Sequence, residues 1–265
     1  MKLVNKLKSI LVRRRLKKSK IPFAVWRKAT LKMPMVQRYS AVNRAKLRLL
    51  AGEVLRVKKI IPVQGMILTD EIRVMIAAQA AMLVFGLEST RNFFVLSWLR
   101  NWQSIIVYPA PFWNGRENVL NMNGAWASRA AAQSGETSYQ GGIVIDWIDN
   151  EPHPLQTHAN QVLIHEMAHK LDMLDGYTNG HPPLHRTMRN NEWLKAFGSA
   201  YQQLHRQIDA GHNPDINPYA ATNPAEFFTV TSEYFFESPA YLKKVYPDVY
   251  RKLCLFYKQD LAELS

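Results

Sequence analysis

The chain has one cysteine, Cys254, in 265 residues. A single thiol excludes an internal disulfide and any metal cluster built from several cysteines of one chain. Long apolar runs are missing too. The best stretch, Val74 to Leu87, falls short of the roughly 18 residues a membrane span needs and carries Gln79, so it reads as a core helix. The basic N-terminus is not followed by a long apolar core and a small-residue cleavage site, so the sequence predicts a cytoplasmic protein. No histidine precedes His153, which confines any imidazole chemistry to the second half of the chain.

Acidic residues are absent from residues 1–50, which hold 16 of the 34 Lys and Arg. The formal net charge of +13 therefore belongs to this end, and residues 51–265 carry a net charge of −3. Residues 1–20 read as a basic arm, with Arg13-Arg14-Arg15 and Lys17-Lys18 as its densest part. A solvated tail, nucleic-acid contact and contact with an anionic membrane all fit such an arm. The loosely helical spacing of Leu3, Leu7, Ile10 and Leu11 favours a surface-binding helix among the binding options. No zinc-finger cysteines or RNA-binding aromatic signature supports nucleic acid.

Residues 21–265 read as one α+β body, mainly helical with a small sheet. Arg44 to Lys59 is an amphipathic helical segment ended by Pro62 and the turn-like Gln64-Gly65. Thr69 or Asp70 opens the next helix. Ser104 to Tyr108 and Gly142 to Trp147 read as strands, with a loop-like Asn114 to Gln140 between them. Ile143 to Trp147 is either a core strand or an edge that pairs with an extended substrate backbone. Further helices follow from Asn190, interrupted by a long connection from Gly211 to Pro224.

What the chain does contain is His165-Glu166-Met167-Ala168-His169. Histidines four apart on a helix project from one side, one turn above the other, and can share a metal ion. The glutamate between them points away from the pair, within reach of a water on that ion. This is the H-E-x-x-H pattern of a zinc hydrolase, with Glu166 as general base. Asn160 to Gly176 reads as the carrying helix, with Thr157 or Asn160 as N-cap and Gly176 as the stop. Asp172 lies on the metal-facing stripe, where it either accepts a ligand histidine's second N–H or is solvated.

Such a site needs a third protein ligand. The metzincin continuation fails, because Asp172 and Asp175 occupy its glycine and third-histidine positions. The segment Tyr219 to Phe228 holds a better candidate, Glu226. Asn223, Pro224 and Glu226 also make a complete helix start, with Asn223 as cap and Glu226 as its capping-box partner. Ligand and cap both stand as readings of Glu226. Glu233, two turns on and on the same side, could orient a histidine, ligate the metal or be exposed.

HEMAHKLD at 165–172, YAATNPAEFF at 219–228 and SEYFF at 232–236 together resemble the Mlc titration factor A family of zinc peptidases. So do VQG at 63–65, YPAPF at 108–112, QSG at 133–135 and GGIVIDW at 141–147, in the same order. The stretch from Tyr219 to Glu226 is also similar to part of the anthrax lethal factor protease domain. The resemblance implies a zincin-like core holding one Zn2+ per chain through His165, His169 and Glu226. It further implies Tyr219 as the catalytic tyrosine and aminopeptidase-like hydrolysis of small or unstructured peptides. The family is named for sequestering a transcriptional repressor of sugar uptake, so a regulatory binding protein is the second expectation. Two departures stand out: the arm before residue 21 lies outside the resemblance, and Ala127 occupies a position where a family member can carry a metal-capping histidine.

Overall fold

The computed structural model describes residues 21–87, 97–109, 141–147 and 155–264, with backbone only at 146 and 155–162. The arm, the segment around Ala127 and the QSG motif lie outside the described residues.

The chain begins with α1 (Phe23–Leu31), the single turn α2 (Pro34–Gln37) and α3 (Ala41–Val57). Strand β1 (Lys59–Pro62) leads into α4 (Asp70–Val84), followed by β2 (Ser104–Tyr108) and β3 (Ile143–Asp146). The second half holds α5 (Leu155–Asp172), α6 (Asn190–Asp209), α7 (Pro224–Glu237), α8 (Pro239–Val245) and α9 (Pro247–Tyr257). The architecture is α+β, mainly helical with a small sheet. Three parallel strands in the order β1-β2-β3 form that sheet, with Ile105 registered against Ile60 and Ile143.

Helix α4 is apolar on almost every side, and the fold uses it accordingly. Ile72 and every residue from Val74 to Val84 are buried, as expected of a helix enclosed by its neighbours. It packs against α1 and α3 and against α5. Its start is local chemistry, because Thr69 Oγ1 accepts the Ile72 N–H at 3.2 Å. Ser40 caps α3 in the same way, accepting from Asn43 N at 3.2 Å. An aromatic part of the same core joins α6, α7 and α9. Trp193 stacks on Phe197 with ring centroids 4.1 Å apart, and Phe227, Phe228 and Phe256 close around them.

Helix α5 packs against α4, α7 and β3. It begins at Leu155, so Thr157 and Asn160 lie inside its first turns rather than ahead of it. A 3-10 turn, Met173–Asp175, continues it, and Gly176 ends it with φ of 96°. The segment before β2 holds this end. Asn101 Nδ2 donates to the Lys170 carbonyl at 2.6 Å and an Arg100 guanidinium nitrogen donates to Leu174 O at 2.9 Å. Carbonyls in a helix's last turn generally lack an intrahelical partner, and these two donors reach that turn. The buried ammonium of Lys58 in turn fixes this segment by donating to the Leu99 and Trp102 carbonyls beneath the Trp102 ring.

Candidate metal centre

His165 and His169 stand one turn apart on α5, and their Nε2 atoms come within 3.1 Å. Helix α7 brings the third group. Asn223 Oδ1 accepts the Glu226 N–H at 3.0 Å and Pro224 occupies the first turn, so the start of α7 is locally encoded. The Glu226 side chain does not fold back on the cap. Its Oε2 lies 3.0 Å from His165 Nε2 and 3.3 Å from His169 Nε2. The backbone at Glu226 thus serves the cap while its carboxylate faces the histidines.

Metal–nitrogen and metal–oxygen bonds near 2.1 Å in a tetrahedron place ligand atoms about 3.4 Å apart. The three contacts here are 3.1, 3.0 and 3.3 Å. Among the described residues, His165, His169 and Glu226 are the one group of three potential metal ligands brought together. Protonation argues the same way. Glu233 Oε1 lies 2.5 Å from His165 Nδ1, so that nitrogen carries the hydrogen and donates it. When neutral, the ring aims the Nε2 lone pair at a carboxylate oxygen and a second imidazole. Only a cation or a proton between them relieves that arrangement. Burial alone would lower the His165 pKa, yet Glu226 and Glu233 together pull it up to about 10. Burial pushes Glu226 up, and its hydrogen bonds with His165 and His169 outweigh this and hold it low. The site attracts positive charge at the point where the three ligand atoms meet.

The remaining residues fall into place around this point. Glu166, buried on the neighbouring side of α5, contributes negative charge felt by His165 and Tyr219. Tyr219 is set by a 3-10 turn, Pro218–Ala221, in which Asn217 Oδ1 accepts the Tyr219 N–H at 3.0 Å. Its ring lies 6.1 Å from that of His165, centroid to centroid. Burial raises its pKa first, and Glu226, which accepts the phenol's hydrogen bond, raises it further, so the phenol keeps its proton. Glu233 is not exposed; it pairs with His165 Nδ1.

Asp172 departs from both expectations. It is fully buried, and its Oδ2 accepts the backbone N–H groups of Asn179 at 2.9 Å and Gly180 at 2.8 Å. Neither its Oδ1 nor His169 Nδ1 has a hydrogen-bond partner among the described residues. Burial raises the Asp172 pKa to about 6, against the two N–H groups that lower it. Asp175 turns away from the site, accepting the Tyr177 N–H at 3.2 Å in an exposed turn. Thr229 is a residue the sequence reading missed. One turn beyond Glu226, it donates to the Glu226 carbonyl at 3.0 Å, with its hydroxyl 3.4 Å from both Glu226 Oε2 and His165 Nε2. Its i+3 spacing from Glu226 was the available signal.

Residues 8–258 match the family described as glucose-regulated metallo-peptidase M90. The chain belongs to that family. It is 34% identical over 247 residues to Mlc titration factor A of Yersinia pestis strain Pestoides F, covering 91% of this chain and 87% of that protein. The same figures hold for Mlc titration factor A of Yersinia pseudotuberculosis serotype O:1b. The family match reaches back to residue 8 and so includes part of the basic N-terminal segment. No helix among the described residues is long and apolar enough to cross a membrane.

Proposed function

We propose that the chain is a zinc-dependent peptidase in which His165, His169 and Glu226 hold one Zn2+. The observation that carries this reading is the convergence of His165 Nε2, His169 Nε2 and Glu226 Oε2 to within 3.0–3.3 Å of one another. When bound, zinc would polarise the scissile carbonyl and make a water acidic enough to lose its proton near neutral pH. Glu166 takes that proton as the water attacks and returns it to the departing amine. Tyr219, kept protonated, donates a hydrogen bond to the carbonyl oxygen as it gains charge. Strand β3, outermost in the sheet among the described residues, lies against α5 and offers its edge to an extended peptide. We assign the catalytic domain to residues 21–265, a basic arm to residues 1–20, and the protein to the cytoplasm. Aminopeptidase-like action on unstructured peptides rests on the family resemblance.

A second reading is favoured by the name its relatives carry, Mlc titration factor A. In it, the protein binds and sequesters a transcriptional repressor, with hydrolysis secondary. The Glu166→Gln variant separates the two. It should retain metal and fold and lose hydrolysis of an unstructured peptide, whereas repressor binding should persist. Purified protein without stoichiometric zinc, or a Glu166→Gln variant that cleaves as fast as the parent, would overturn the enzymatic reading.

A further inference from the structure

The outward side of α1 is the opposite of a core face. Phe23, Ala24, Arg27, Lys28, Leu31 and Lys32 are all exposed, with Trp26, Ala29 and Thr30 turned inward. Phe23 is 66% exposed and Leu31 64%, an unusual position for two large apolar side chains on so short a helix. Arg48 of α3 adds its guanidinium 5.4 Å above the Phe23 ring, which ties the two helices into one surface. Beyond it, α3 exposes Val42, at 65%, and Lys46. The nearby acid Glu71 is already held by Lys28.

We propose that this α1–α3 face docks on an anionic phospholipid surface. Its large apolar groups are single side chains separated by cations rather than one contiguous patch. A fluid bilayer accepts such side chains one by one into the headgroup–acyl boundary, while the cations meet lipid phosphates. A folded protein partner would need matching pockets, and nucleic acid would gain nothing from Phe23 and Leu31. The sequence continues the same chemistry: residues 1–20 add nine Lys and Arg and no acid, and in sequence they end three residues before Phe23. The face lies outside the metal centre, so the inference stands independently of the peptidase reading.

The test is co-sedimentation of the full chain with vesicles of phosphatidylcholine, with and without phosphatidylglycerol. Binding is expected only to the mixed vesicles and should vanish near 1 M salt, where charges are screened beyond about 3 Å. The double variant Arg27→Gln with Lys32→Gln should lower partitioning about 25-fold, at about fivefold per cation. Phe23→Ser with Leu31→Ser should lower it on the order of tenfold or more. Both pairs are exposed, so the thermal melting curve should stay that of the parent. Equal binding to both vesicle types, or none to either, would overturn the proposal. So would vesicle binding that survives both double variants, which would place the contact in residues 1–20 alone. Binding to a DNA duplex without binding to mixed vesicles would overturn it in favour of nucleic acid.

Discussion

A Cβ placed on Gly180 would stand 2.2 Å from the carbonyl oxygen of Pro224. The loop after α5 and the first turn of α7 thus meet backbone to backbone. The same glycine has φ of 74°, donates its N–H to Asp172 and accepts from Trp193 Nε1 at 3.1 Å. Asp172 lies one turn past His169, and Pro224 lies two residues before Glu226. Gly180 therefore gauges the separation of the helix bearing both histidines from the helix bearing the third group.

Gly180→Ala should weaken metal binding as well as the fold. The positive φ and the clash predict a loss of about 1–3 kcal/mol of stability. Displacement of Pro224 predicts roughly 10–100-fold weaker zinc affinity, the range seen when groups supporting metal ligands are disturbed. Gly86→Ala is the matched control, because its Cβ would also lie 2.2 Å from a carbonyl, that of Tyr257, in contact with no metal-site residue. Zinc titration alongside thermal melts should show both variants destabilised and only Gly180→Ala impaired in binding. Equal zinc affinity in the two would refute the gauge.

Glu233→Gln tests the orientation of His165. The amide keeps the shape and can still accept the Nδ1 hydrogen, but it removes the charge that makes the ring a stronger ligand. Zinc affinity should fall roughly 10–100-fold, with helix content by circular dichroism unchanged. An unaltered dissociation constant would show that the 2.5 Å contact does not serve the metal.

The raised pKa of His165 gives a pH dependence of definite sign. Its ordinary value is 6.5 and its value in the folded, metal-free site is about 10. The proton on His165 therefore stabilises the metal-free fold fully below pH 6.5, and this contribution is lost as pH rises through about 10. Chelator-treated protein should melt at progressively lower temperature across that window. Zinc takes the place of this proton, so near neutral pH its binding should release about one proton from His165. Calorimetric titration in buffers of different ionisation enthalpy measures that number, and no net release would contradict the assignment.

How much of this was legible in the sequence follows from how local each feature is. The pairing of His165 with His169 and the Asn223–Pro224 helix start are set within one helical turn, and both read correctly. Whether Glu226 was cap or ligand could not be read, because the answer depends on where α5 lies, and the two histidines are more than 50 residues away in sequence. Asp172 was misjudged for the same reason. Its partners are loop N–H groups seven and eight residues on, brought back by the positive φ of Gly180. Strand β1 went unread, since Lys59–Pro62 is four residues long with only Ile60 buried, and the helical reading had already taken in Lys59. Its identity as a strand comes from pairing with β2, which no local pattern reports.

Tyr219→Phe isolates the remaining role. The phenol donates to Glu226, and in the proposed mechanism it is also the donor to the developing oxyanion. These duties predict different kinetics. As oxyanion donor, Tyr219 acts only in the transition state, so its loss should cut kcat roughly 100–1,000-fold with KM and zinc content little changed. As a support for Glu226, its loss should lower zinc occupancy, and activity should return when zinc is added in excess. The buried Nε2 contacts from His165 and His169 hold Glu226 without the phenol. The expected result is therefore full zinc occupancy with a depressed kcat. Recovery of the parental rate on adding zinc would assign Tyr219 to ligand support instead.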